Sequence, residues 1–222
     1  MTSTVKICGL STALTLDAAL DAGADMVGFV FFSKSPRHID WATGRALGRQ
    51  ARGRATIAAL SVNADDDTLK RIVDALSPDL MQLHGSETPT RVKEIGALCA
   101  RPTMKAIGVA THGDLAAAHA YEGVADHLLI DAKPPKGAVL PGGNGRPFDW
   151  SLTREFRPSI PWLLSGGLDP DTVGAAVALS GARGVDVSSG VESAPGVKDP
   201  ARIRAFVAAA RRAFARDTVG VG

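Results

Sequence analysis

The chain has 222 residues, 45% hydrophobic and 22% charged, with a net charge of +2. This is the balance of a globular domain with room for one large core. Acidic and basic residues are mixed along it, which excludes the footprint of a nucleic-acid or membrane-surface binder, and no apolar run reaches the ~20 residues a bilayer span needs. Two cysteines, Cys8 and Cys99, lie too far apart to suggest a disulfide framework. The opening M-T-S-T-V-K has no charged n-region and no apolar h-region, which predicts a cytoplasmic, reducing location. Arg211, Arg212 and Arg216 read as one solvated helix face.

Strand-like runs then follow one another: V5-K-I-C, M26-V-G-F-V-F, T56-I-A-A-L-S-V, L80-M-Q-L-H, M104-K-A-I-G-V, H127-L-L-I-D, W162-L-L-S and G184-V-D-V-S-S. Each is too short for an ordinary helix and is bounded by Gly, Asp, Asn or Pro. Between them stand helical patterns such as T15-L-D-A-A-L-D-A-G and D171-T-V-G-A-A-V-A-L. The last helix is the clearest: it starts at Pro200, with Asp199 placed to cap it. Alternating strands and helices argue a parallel sheet. Eight such units, spaced by roughly 20 to 35 residues, predict a closed (β/α)8 TIM barrel as a single domain over residues 1–222, with a frayed tail from about 216. An open doubly wound sheet with one strand misread is the alternative.

Barrel strands are covered on both faces, so they should be apolar throughout. Polar residues that break this rule are informative. Lys6 and Cys8 share one face of the first strand, opposite Val5 and Ile7. Gln82 and His84 share a face of the fourth, Asp186 and Ser188 of the eighth. Asp131 ends the sixth in parity with Leu129. Most of these groups sit at carboxyl ends, where barrel enzymes place their chemistry.

Each group also has a plain structural role open to it. Cys8 could be a small buried hydrophobe. The Lys6 ammonium beside it predicts a thiol pKa below the free value of about 8.5, hence a thiolate able to act as general base. Alternatively, Lys6 pairs with Asp186 and Cys8 merely packs. Asp131 could cap a turn; in a pocket of low polarity its pKa would rise, suiting it to general acid. Arg37, in S33-K-S-P-R-H-I, suits bidentate clamping of a carboxylate. His84 reads as a pocket-wall residue.

The small residues of S165-G-G-L-D-P-D and S188-S-G-V-E-S follow the seventh and eighth strands, where barrels commonly bind phosphate. V191-E-S-A-P is expected to supply a short helix there. The glycine-rich G142-G-N-G-R-P-F-D-W is expected to form a lid, anchored by Phe148 and Trp150. The five histidines show no metal-ligand spacing, and no nucleotide fingerprint is present. Other phosphate-binding barrels remain open: a metal-dependent epimerase, indole-glycerol-phosphate synthase, or a Schiff-base aldolase using Lys6 or Lys105. A binding module without activity is a further alternative.

The segments K6-I-C-G-L, G28-F-V-F-F-S-K-S-P-R-H-I, Q82-L-H-G-S-E, L128-L-I-D-A, G142-G-N-G-R-P-F-D-W, L164-S-G-G-L-D-P and D186-V-S-S-G-V-E-S-A-P-G-V-K-D, in that order, resemble the phosphoribosylanthranilate isomerase family of tryptophan biosynthesis. The resemblance covers nearly the whole chain. It implies a (β/α)8 fold and an Amadori rearrangement that needs no cofactor or metal, because the substrate's own iminium nitrogen is the electron sink. Asp131 would be the acid acting on the furanose ring oxygen of N-(5-phosphoribosyl)anthranilate, and Cys8 the base at ribose C2. Arg37 matches the position that holds the anthranilate carboxylate. Gly166, Gly167, Ser189 and Gly190 match the phosphate loops, and Gly142, Gly143, Asn144 and Gly145 the lid. His84 and Asp186 are expected at the substrate, Asp186 on a ribose hydroxyl or holding Lys6. Glu192 fits the motif without an assigned role, and Asn144 departs from the Thr or Ser expected there. The implied partner is a small phosphorylated molecule, with neither nucleic acid nor membrane involved, for a monomer or a homodimer.

Overall fold

The computed structural model describes residues 3–134, 137, 140, 142, 143, 145 and 147–219. Eight parallel strands close into a barrel in chain order. They are β1 (Thr4–Cys8), β2 (Met26–Val30), β3 (Thr56–Ser61), β4 (Leu80–Leu83), β5 (Thr103–Val109), β6 (His127–Ala132), β7 (Trp162–Leu164) and β8 (Gly184–Val187). Each of the eight strand-like runs of the sequence yields one strand. β8 closes on β1 with Thr4 opposite Gly184 and Lys6 opposite Asp186.

The outer layer is made of α1 (Ala13–Asp21), α2 (Trp41–Ala51), α3 (Asp66–Leu76), α4 (Pro89–Cys99), α5 (His112–Ala116), α6 (Val173–Ser180) and α7 (Pro200–Val219). Side-chain oxygens start the first five: Thr12, Asp40, Asp65, Thr88 and Thr111 each accept from a backbone N–H in the first turn. Asp199 caps α7 through the Ala201 N–H at 2.7 Å. Two units are irregular. α5 is five residues long and continues as a 3-10 turn over Ala117–Tyr121. Between β6 and β7 the described residues hold only a 3-10 turn, Trp150–Thr153.

Strand alternation sorts the core into two parts. Val5, Ile7, Val27, Phe29, Ile57 and Met81 face the helices in the main cluster. Ala58, Leu80, Met104, Ala106, Leu129 and Leu163 plug the barrel interior below the site. Burying each large side chain there contributes about 1.5–3 kcal/mol. At the opposite, amino-terminal rim, Asp25, Asp79 and Asp126 accept from the N–H of Val5, Ile57 and Thr103 at 2.6–2.8 Å. Each carboxylate precedes an even-numbered strand and ties down the odd-numbered strand before it. That rim is built for stability, and the polar chemistry lies at the other.

The sequence expectation fails at V191-E-S-A-P. The 3-10 turn is Ser189–Val191, and Glu192–Ala194 (β9) pairs antiparallel with Val197–Lys198 (β10) in a small hairpin. The hairpin wins because Glu192 and Lys198 have buried partners to reach. No helix among the described residues is long and apolar enough to cross a membrane.

Candidate active site

The carboxyl ends of the strands surround one cavity. Cys8, Arg37, His84, Asp131, Gly142, Gly143, Gly145, Gly166, Gly167, Asp186 and Ser189 all line it. These candidates are scattered from β1 to the turn after β8, and barrel closure brings them together. Asn144 lies outside the described residues. Gly190 is not in the lining: a Cβ there would stand 1.8 Å from the Leu168 carbonyl oxygen. Its lack of a side chain lets the loops after β7 and β8 touch.

Cys8 ends β1 because the next residue, Gly9, turns the chain with φ +78°, a conformation that favours glycine. A Cβ on Gly9 would also lie 2.7 Å from Arg37 Cδ, so the arginine stem passes directly over the turn. Lys6 Nζ, fully buried, bonds Asp186 Oδ1 at 2.7 Å. Gly28 of β2 lies opposite Cys8, and a Cβ there would meet Cys8 Sγ at 2.8 Å and Lys6 Nζ at 3.2 Å. The absent side chain leaves the thiol and the ammonium room to meet. The sequence signal for this was the glycine in M26-V-G-F-V, an unusual residue for a strand interior.

The expectation of a depressed Cys8 pKa is overturned. Burial pushes the thiol up; Lys6 opposes this, but Asp186 works against Lys6. Lys6 is itself raised: burial would lower it, and the Asp186 and Cys8 charges outweigh that. One ammonium shared between a carboxylate and a sulfur cannot make the sulfur a thiolate at neutral pH. Alkylation of Cys8 by iodoacetamide, followed by peptide mapping, should therefore rise steeply only at alkaline pH, above the ordinary thiol range. A plateau reached below pH 8 would contradict this. The folded state keeps the thiol proton where an unfolded thiol, at about pH 8.5, has lost it, so this group makes stability fall as pH rises past that point.

Asp131 ends β6 across the cavity. Its Oδ1 accepts from the Ala132 N–H at 2.8 Å, and Oδ2 lies 3.3 Å from His84 Nε2. Gln82 Nε2 stands 3.3 Å from His84 Nδ1, so β4 supplies a row that ends on the carboxyl. Above this pair is the lid backbone: a Cβ at Gly142 would fall 2.3 Å from His84 Nε2 and 2.5 Å from Asp131 Oδ2. Only a glycine allows the lid to lie this low. The proposed anchors are in place, since Trp150 Nε1 donates to the Gly166 carbonyl at 3.0 Å and Phe148 packs against the same glycine.

Arg37 is buried and already holds one carboxylate. Its Nε and Nη2 donate to Glu192 at 2.6 and 2.9 Å, and Nη2 also reaches the Gly143 carbonyl at 3.3 Å. Lys198 Nζ bonds Glu192 Oε1 at 2.8 Å and the Ser188 carbonyl at 2.8 Å. Burial brings the Lys198 pKa down to about 8, with Glu192 opposing. Glu192 is lowered: burial would raise it, but the Arg37 and Lys198 contacts prevail. Beside Cys8, Val30 and Leu60 pack with Phe32 and Val62 as an apolar wall. Lys105 is not at the mouth. It shares parity with Thr103 and points outward, where its Nζ pairs with Glu87 at 2.8 Å, so strand alternation removes it as a Schiff-base candidate.

These features define a (β/α)8-barrel enzyme with its site at the carboxyl ends of the strands. Residues 5–209 match the family model described as N-(5'-phosphoribosyl)anthranilate isomerase. The chain belongs to this family. It is 59% identical over 213 residues to the N-(5'-phosphoribosyl)anthranilate isomerase of Nitrobacter hamburgensis, covering 96% of this chain and 95% of that one. It is 58% identical over 211 residues to the Bradyrhizobium diazoefficiens enzyme, covering 95% of each. The crystal structure of the Thermotoga maritima isomerase superposes with a TM-score of 0.85 at 33% identity, covering 96% of this chain and all of that one. A phosphoribosyl anthranilate isomerase in complex with reduced 1-(o-carboxyphenylamino)-1-deoxyribulose 5-phosphate gives 0.82 at 30% identity, covering 96% of this chain and 100% of the other.

Proposed function

We propose that Asp131 and Cys8 divide the two proton transfers of the family's reaction. That reaction is the Amadori rearrangement of N-(5-phosphoribosyl)anthranilate to 1-(2-carboxyphenylamino)-1-deoxyribulose 5-phosphate, a step of tryptophan biosynthesis. Asp131 gives a proton to the furanose ring oxygen as the C1–O bond breaks, and the anilino nitrogen becomes an iminium. Cys8, as thiolate, takes the proton from C2. The electron pair flows to nitrogen, giving an enolamine that tautomerises to the ketone. The observation that carries this reading is an acid and a thiol from opposite sides of the barrel lining one cavity.

The raised thiol pKa fits the order of steps. In the empty site burial outweighs the pull of Lys6 and Lys198 on the thiol, and Asp186 opposes that pull. The iminium formed by ring opening adds a positive charge within the site, so the thiol releases its own proton to solvent water and is an anion when the C2 proton leaves. Ser189 and the backbone of Gly166 and Gly167 take the phosphate, with Gly190 shaping the loop contact. Arg37 offers Nη1 to the anthranilate carboxylate, its Nη2 being taken by Glu192 and the Gly143 carbonyl. His84 steadies Asp131, Asp186 meets a ribose hydroxyl through Oδ2, and the lid glycines Gly142, Gly143 and Gly145 cover the ring-opened sugar. The two free thiols suit a cytoplasmic setting, and the chain works as a monomer or a homodimer without a cofactor.

Mixing the purified protein with freshly prepared phosphoribosylanthranilate tests the reading. Substrate fluorescence should decay far faster than in the spontaneous reaction, with the carboxyphenylamino ketose phosphate recovered by chromatography. Decay at the uncatalysed rate would remove the assignment.

A further inference from the structure

Glu192 and Lys198 are buried charges that the proton-transfer scheme does not use. Both sit on the β9–β10 hairpin, and neither carboxylate oxygen of Glu192 is spare. Oε1 takes Arg37 Nε at 2.6 Å and Lys198 Nζ at 2.8 Å; Oε2 takes Arg37 Nη2 at 2.9 Å and the Gly196 N–H at 3.1 Å. Lys198 is held in turn by the Ser188 carbonyl at 2.8 Å and Ser188 Oγ at 3.1 Å. The hairpin also presses on the chain before Arg37, since a Cβ at Gly196 would lie 2.5 Å from the Pro36 carbonyl oxygen.

A guanidinium has two edges able to receive a carboxylate side by side, Nε with Nη2 and Nη1 with Nη2. Glu192 takes the first. Its grip fixes the guanidinium plane and leaves Nη1, at the lid glycine Gly143, as the end directed to a ligand. The charges fit one carboxylate: Arg37 and Lys198 contribute two positive, Glu192 one negative, leaving one positive charge in a buried pocket.

We infer that Glu192 and Lys198 are positioning residues that aim Arg37 and thereby set the preference for a substrate bearing a carboxylate on its aromatic ring. This rests on the reading of Arg37 as the carboxylate contact. A strap of this kind costs two buried charges, which a purely structural hairpin would not require.

The test compares kcat/KM for N-(5-phosphoribosyl)anthranilate with that for N-(5-phosphoribosyl)aniline, which lacks the carboxylate. Arg37→Ala should shrink that ratio by about 10- to 100-fold, the loss of a charge-assisted contact. Glu192→Gln, which keeps size but not charge, should shrink it about tenfold. The change should appear as a higher KM for the anthranilate substrate, with kcat affected less. A fault in folding alone would lower both substrates together and leave the ratio intact. If Glu192→Gln does not fold, Lys198→Met reports on the same strap, and its ratio should fall in the same direction. A ratio that responds to Arg37→Ala but not to Glu192→Gln or Lys198→Met overturns the proposal alone. A ratio indifferent to Arg37→Ala overturns both the Arg37 reading and the proposal.

Discussion

Asp131→Asn should lower kcat by about 10²–10⁴, the range expected when a general acid is removed, while the barrel stays folded. Asparagine is nearly isosteric and its amide oxygen can still accept from the Ala132 N–H that now meets Oδ1 at 2.8 Å. The His84 contact at 3.3 Å also remains open to it. What asparagine cannot do is release a proton to the furanose oxygen, so C1–O cleavage must proceed with an alkoxide leaving group. KM should change little, because the residues proposed for the phosphate and the carboxylate lie elsewhere on the rim. Steady-state fluorescence gives kcat, and a thermal melt shows whether structure was lost. Turnover within a factor of a few of wild type would remove Asp131 from the acid role.

The parts legible in the sequence are those that local rules govern. Eight strands showed because each is apolar on both faces. Lys6, Cys8, Gln82 and Asp131 showed because they break that rule on the inward face, at or near a carboxyl end. What was hidden depends on partners distant in the chain. The β9–β10 hairpin has strands of three and two residues, too short for any pattern, and is set by the Glu192–Arg37 pair across 155 positions. The thiol pKa was misjudged for the same reason. Lys6 next to Cys8 on one strand argues for a thiolate, but burial in the closed barrel pushes the thiol up, and Asp186, 180 positions away from Lys6, shares the same ammonium once β8 closes on β1. Gly28 could be noticed in its strand, but that it faces Cys8 is a matter of register. Lys105 shows the converse, since alternation from Thr103 places it outside the barrel, and only the true start of β5 fixes that parity.

Cys8→Ala should also cut kcat by about 10²–10⁴, by a route that can be told apart from the first. The side chain is buried against Val30 and Leu60. Removing one sulfur should therefore cost about 1 kcal/mol of stability, since the void is small and Lys6 keeps its bond to Asp186. Cys8→Ser should be almost as inactive as the alanine variant, because a hydroxyl ionises far less readily than a thiol. The separating measurement is substrate deuterated at ribose C2. In the Cys8 variants, loss of that hydrogen becomes the slow step, and a clear primary isotope effect should appear on kcat. In Asp131→Asn, ring opening is slow instead, so the effect should be small or absent. In the proposed scheme the two side chains act on either side of one intermediate, the iminium, and the isotope distinguishes the step before it from the step after. Equal isotope effects in the two variants would mean that acid and base are not divided between Asp131 and Cys8.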